Sequence, residues 1–148
     1  MQWKPNVTVA AVAERDGRFL VVEESSKGRV VFNQPAGHLE RNETLIDAVR
    51  REVMEETAWE FMPEHIVGIY MYENRRERRT YLRVCFSGSC ARHFPDLPLD
   101  KGILRAAWMT RAELEAMRER MRSDMVLRCL NDYATGRRFP LDILNHYL

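Results

Sequence analysis

The stretch Gly37-His-Leu-Glu-Arg-Asn-Glu43-Thr-Leu-Ile-Asp-Ala-Val-Arg-Arg51-Glu52-Val-Met-Glu55-Glu56-Thr-Ala58-Trp59 decides how the rest of the chain is read. From Thr44 onward Leu45, Ala48, Val49 and Val53 fall on one stripe, as an amphipathic helix requires. Thr44 with Asp47 three residues on resembles a capping box, although Asp is a weaker partner there than Glu or Gln. Each helical residue turns about 100°, so Glu55 sits near ~−60° and Glu56 near ~+40° relative to Glu52. Three carboxylates therefore share an arc of roughly 100°. Like charges so close weaken an isolated helix by a few tenths of a kcal/mol per pair, roughly. A divalent cation with oxygen ligands offsets that repulsion, and Mg²⁺ held by carboxylates plus substrate phosphate oxygens is the usual arrangement. Arg51, one turn before Glu55, is placed to orient a carboxylate through a charge-assisted hydrogen bond. The carboxylate spacing alone fits equally well a solvated acidic face laced with arginines.

The preceding loop separates the two readings. Gly37, Glu43, Arg51-Glu52-Val53, Glu55-Glu56 and Trp59 stand at the positions of the Nudix box, which the segment resembles across its whole length. The resemblance implies an α/β/α sandwich and Mg²⁺- or Mn²⁺-dependent hydrolysis of a diphosphate linked to another group. By position, Glu52, Glu55 and Glu56 would hold metal, Gly37 would offer its backbone carbonyl, and Glu43 with Arg51 would orient the ligands. One position departs from the pattern, with Ala58 where the family has glycine. Glycine suits a helix exit because it adopts the left-handed conformation freely; alanine there costs roughly 1 kcal/mol or forces a different exit.

Working outward, Val7 to Val12 and Arg18 to Glu23 read as strands joined at Arg15-Asp16-Gly17, a hairpin. A turn at Lys27-Gly28 leads to a short strand near Val30 to Asn33, and Pro35, Gly37 and Asn42 mark a loop that cannot be regular structure throughout. Ile66 to Tyr72 and Tyr81 to Phe86 are β-rich runs joined by a polar Glu73-to-Thr80 turn, and Ile103 to Met109 is a further strand. Thr110 with Glu113 opens a helix with a capping box, and a last helix runs from about Ser123 to Ala134, stopping at Gly136. Hairpins with interspersed helices predict an α+β fold, a mixed sheet sandwiched by helices, over a single domain spanning 1–148.

Composition narrows the function classes. The 148 residues are 45% hydrophobic and 30% charged, as in ordinary globular domains with a real core. A net charge of +1 gives no bulk attraction to nucleic acid or an acidic membrane surface. No apolar run approaches a membrane span, so a cytoplasmic protein, monomer or homodimer, is the default. Cys85, Cys90 and Cys129 lack metal-ligand spacing, and His65, His93 and His146 are unclustered, which argues against a zinc site.

Segments beyond the box resemble the NudJ-type phosphatase branch of the Nudix family. They are Pro5 to Val9, Leu20 to Glu24, Asn33 to Glu40 and Gly136 to Leu141. The resemblance implies stepwise loss of phosphate from the thiamine-pyrimidine diphosphate or from nucleoside di- and triphosphates. ADP-ribose or dinucleoside polyphosphate hydrolysis, and a non-catalytic nucleotide-binding module, are the competing readings. Breaking a phosphoanhydride requires an in-line oxygen nucleophile and neutralisation of developing charge. Glu52 or Glu56 is the local candidate for the base, with Asp100 a more distant one, because Leu104 and Arg105 before Trp108 cannot serve. On the substrate side, Arg83 is the best single phosphate-binding candidate, ahead of Arg75, Arg76, Arg78 and Arg79, which read as a solvated hairpin tip. Tyr72 and Tyr81, with Tyr70 and Trp3, could stack on a pyrimidine ring, and His38 lies in the right loop.

Overall fold

The computed structural model describes residues 1–148. Two long pairings organise it. Strands β1 (Asn6–Arg15) and β6 (Arg79–His93) run parallel in register from Asn6↔Tyr81 to Ala13↔Gly88. β5 (Trp59–Asn74) lies antiparallel to β6 along its whole length, with three register shifts. Across β1, the short strand β4 (Ala36–His38) adds antiparallel, while β2 (Arg18–Ser26) joins only at its start and carries β3 (Arg29–Asn33) and β7 (Ile103–Thr110) on its two edges. The sheet is thus mixed, as expected for the α+β class.

The period-2 alternation of β1 divides its side chains between two cores. Val9, Ala11 and Ala13 pack under α1 (Leu45–Thr57) with Ala48, Val49 and Val53. Ala10 and Val12 face the opposite layer, where Leu114 of α2 (Arg111–Ala116) and Val126, Leu127 and Leu130 of α3 (Asp124–Ala134) lie. Helices on both faces of a mixed sheet make the α/β/α sandwich.

Helix ends follow the sequence signals. Thr44 Oγ1 accepts from Asp47 N, the Thr110–Glu113 capping box closes in both directions, and Ser123 caps α3. Ala58 takes the left-handed conformation (φ 59°) and its N–H donates to Met54 O. Alanine therefore accepts the strain instead of rerouting the chain. Its methyl is buried, and a buried carbon returns about 0.8 kcal/mol, close to the roughly 1 kcal/mol the conformation costs.

One expectation needs correction. The polar turn between β5 and β6 is shorter than Glu73 to Thr80, because Glu73 pairs with Thr80 and Asn74 with Arg79 in the ladder. The stretch from Pro35 to Asn42 is irregular in part, as read, and holds the short strand at Ala36–His38, where the backbone of β1 recruits it.

Candidate active site

The carboxylate helix is built around one arginine. Arg51 Nε and Nη2 donate to the two oxygens of Glu43 at 3.0 and 2.7 Å, a bidentate fork. Its Nη1 donates to Glu52 at 2.8 Å and to Glu55 at 3.2 Å, and Nη2 also reaches the His38 carbonyl at 3.0 Å. Glu43 in turn accepts from Glu40 N at 2.7 Å, which fastens the loop to the helix. The Arg51 guanidinium holds the Glu43 carboxyl below the usual carboxylate range, and Glu43 holds Arg51 firmly protonated.

Glu52 and Glu56 are buried, and loss of hydration raises both carboxyls. Glu56 is pushed up to about 9, against the opposing pull of the Ala36 N–H that donates to it at 2.9 Å. Desolvation also raises Glu55, despite Arg51. Asp100 sits close enough to add repulsion at Glu52, Glu55 and Glu56, and its backbone N–H donates to Glu55 O at 2.9 Å. The loop before β7 therefore brings Asp100 to the carboxylate helix, although its sequence distance gave little sign of it.

Gly37 meets Glu52 so closely that a Cβ at position 37 would overlap the Glu52 carboxylate. The strand β4 can carry only glycine here if Glu52 is to stay where it is. As the side chains stand, no three acidic groups converge on one point, because Arg51 draws Glu52 and Glu55 to itself while Glu56 turns to Ala36. The donor set nevertheless fits a hard cation. Several carboxylates lie within one helix turn, two of them buried, and burial disfavours their negative charge until a cation offsets it.

These residues form one end of a cleft of about 630 Å³, lined there by Ala36, Gly37, His38, Glu40, Glu52 and Glu56. Along the same cleft stand Tyr72, Tyr81 and Arg83. Tyr72 and Tyr81 stack with ring centroids 5.4 Å apart, His38 tilts against Tyr81 at 6.3 Å, and the Arg83 guanidinium lies 5.8 Å from the Tyr72 ring. All four substrate-side candidates thus share one cavity with the helix.

Other candidates fall elsewhere. Tyr70 turns away to donate to Asp132 at 2.8 Å, Trp3 is exposed, and of the hairpin arginines only Arg76 lines the cleft. Residues not singled out from the sequence also line it, notably Thr8, Asn33 and Arg122. Arg122 donates to the buried Glu24 at 2.7 Å, and Glu24 accepts from Asn33 Nδ2 at 3.4 Å. Thr8 and Asn33 fall within segments quoted for the branch resemblance, but nothing there marks a binding role; the three meet only through strand register and the turn before α3.

The chain matches the NUDIX domain over residues 3–128 and belongs to the Nudix family. It is a Nudix pyrophosphohydrolase, an enzyme class that acts on pyrophosphate bonds and generally works with divalent metal ions. Phosphatase NudJ of Escherichia coli (strain K12) is 35% identical over 145 residues, covering 98% of this chain and 94% of that protein. The structure of a NUDIX hydrolase from Nitrosomonas europaea is 49% identical, superposes with a TM-score of 0.96, and covers 97% of this chain and 98% of its own. The MutT protein from Methanosarcina mazei Go1, 22% identical, shares the fold at a TM-score of 0.73, with 93% of this chain and 100% of that chain covered. No helix is long and apolar enough to cross a membrane.

Proposed function

We infer that this chain, acting as one Nudix unit over 1–148, hydrolyses the terminal phosphoanhydride of a small diphosphate compound and releases inorganic phosphate. The thiamine-pyrimidine diphosphate and nucleoside di- and triphosphates are the substrate class. The observation that carries this reading is the joining of two buried carboxylates, Glu52 and Glu56, and a stacked tyrosine pair in one cleft. Likeness to phosphatase NudJ over nearly the whole chain favours the phosphatase branch.

Glu52, Glu55 and Glu56 with the Gly37 carbonyl would hold Mg²⁺ or Mn²⁺. When bound, the ion supplies positive charge against the phosphate oxygens and acidifies the attacking water. Arg51 and Glu43 keep the carboxylates aimed, as groups that act through the ligands. Glu52 or Glu56 takes the proton from the water as its oxygen bonds to phosphorus and the bridging P–O bond breaks. Asp100, against the same helix turn, is the third group in reach of that role. His38 flanks the anionic part of the substrate, and Arg83, Tyr72 and Tyr81 line the cleft toward its organic part.

The test is phosphate release with Mg²⁺ from a panel. The panel holds thiamine-pyrimidine diphosphate, thiamine diphosphate, nucleoside di- and triphosphates, ADP-ribose and a dinucleoside polyphosphate, with Glu56→Gln as control. Direct phosphate release from the pyrimidine or nucleoside diphosphates, abolished in the variant, is the expected result. Activity on ADP-ribose or dinucleoside polyphosphates alone would overturn the branch. Binding without turnover of any compound would make the chain a nucleotide-binding module.

A further inference from the structure

Three buried side-chain atoms in the whole protein have no hydrogen-bond partner: Thr8 Oγ1, Asn33 Oδ1 and Arg83 Nε. Their residues are 5%, 6% and 6% exposed, and all three line the same cleft. A buried polar atom left unpaired costs about 1–3 kcal/mol, so three in one cavity wall mark a surface built to be completed by something else.

The polarity of two of these atoms is fixed by their neighbours. Glu24 is ion-paired to Arg122 at 2.7 Å and only accepts, so the Asn33 amide must turn its NH₂ toward Glu24 and its oxygen away. Asn33 therefore offers an acceptor. Gln34 is pinned likewise, because its Nε2 donates to Ala11 O at 3.2 Å and its oxygen is left to accept from Arg83 Nη1 at 3.3 Å. That contact anchors one end of the guanidinium while Nε–H, which can only donate, stays free. The Thr8 hydroxyl serves either way.

We propose that Thr8, Asn33 and Arg83 form a recognition floor for the edge of a nitrogen heterocycle, one presenting an N–H donor beside an acceptor, as the cytosine-type aminopyrimidine edge does. A phosphate group cannot complete this set. Its oxygens accept, so they satisfy Arg83 and leave Asn33 unpaired. The floor also lies at the right reach. His38, Thr8 and Arg83 occupy one row across β4, β1 and β6, two strand spacings or roughly 10 Å. The ring edge thus rests at Arg83 while the phosphates lie at β4 beside the carboxylates. The three atoms are buried, so contact with a ring edge requires the Arg83 side chain to shift and loosen its Gln34 contact. The inference rests on the diphosphate reading above and adds to it the residues that select the organic half of the substrate.

The experiment measures, with Mg²⁺ present, the dissociation constants of cytidine monophosphate and of methylene diphosphonate, neither of which has a hydrolysable anhydride. The quantity read is the ratio of the two constants in the parent, in Thr8→Val and in Asn33→Ala. The floor predicts that the ratio moves against the nucleotide by about tenfold in each variant. Equal weakening of both probes would make the wall a phosphate subsite and overturn the proposal. No change in either probe would mean that the three atoms take no part in binding either molecule, which also overturns it. Thr8→Val is nearly isosteric, so it keeps the test alive if Asn33→Ala does not fold. Parent enzyme that releases phosphate while the ratio stays fixed would retain the hydrolase reading and remove the floor. A shifted ratio without phosphate release would do the reverse.

Discussion

The two ends of the cleft bury charge in opposite ways. At the α1 end, Glu43, Glu52 and Glu55 share one arginine, and Glu56 has only a backbone N–H. At the β6 end, Arg83 is a buried cation that makes no ion pair and meets a neutral amide and an aromatic face instead. One end has too much negative charge and the other has unspent hydrogen-bonding capacity. The α1 end is thus suited to small cations, the β6 end to a shaped molecule. Changes at the first should strike turnover and metal affinity; changes at the second should strike the choice of substrate.

The harshest way to break this contrast adds no charge at all. Gly37→Ala would drive a methyl into the Glu52 carboxylate, and should lower kcat on the order of 10³-fold, as loss of an aimed charged group does. Steady-state kinetics within tenfold of the parent would show that Glu52 need not sit where it does. Next in size, Arg51→Lys keeps the charge but loses the fork on Glu43. It should cost about 10- to 100-fold in activity, with Mn²⁺ titration showing weaker metal binding; intact metal affinity would argue against a role in aiming the ligands.

A third prediction concerns stability in chelator. Burial lifts the Glu56 carboxyl from 4.5 to about 9, so the folded protein binds a proton that the unfolded chain releases. The contribution of this group is fully present below pH 4.5 and is lost as pH rises through about 9. Glu56→Gln removes the titration while keeping an oxygen for the Ala36 N–H. Its Tm advantage over the parent should widen by several degrees across that window; a gap that ignores pH would refute the assignment. The smallest effect is at the helix exit. Ala58→Gly relieves the left-handed strain but deletes a buried methyl. The two should nearly cancel, leaving Tm within about 2 °C of the parent. A rise of several degrees in a thermal melt would mean the methyl contributes little.

The same contrast governs what could be read from sequence. The α1 end lies within one stretch of chain, where the 3.6-residue period alone fixes which carboxylates share a face. The caps at Thr44 and Thr110 were legible for the same local reason. The β6 end is assembled from register. Thr8 meets Arg83 only because β1 and β6 are parallel, and nothing near Thr8 or Asn33 in the chain announces it. Tyr72, Tyr81, Tyr70 and Trp3 were equal candidates by residue type; only strand facing separates the stacked pair from Tyr70, which turns to Asp132. The N-terminal half of β5 was hidden too, since Glu60, Glu64 and His65 dilute its alternation and three register shifts break it.

The parallel pairing of β1 with β6 has a consequence in time as well as in space. Its partners lie far apart in the chain, with Asn6 opposite Tyr81 and Ala13 opposite Gly88, so the intervening chain must be drawn into a loop before the ladder returns any stabilisation. The β5–β6 hairpin and α1 are local and carry no such delay. A refolding chain would hold its carboxylate helix early and acquire a substrate cleft only as the last long loop closes. Recovery of nucleotide binding should therefore trail recovery of helical signal.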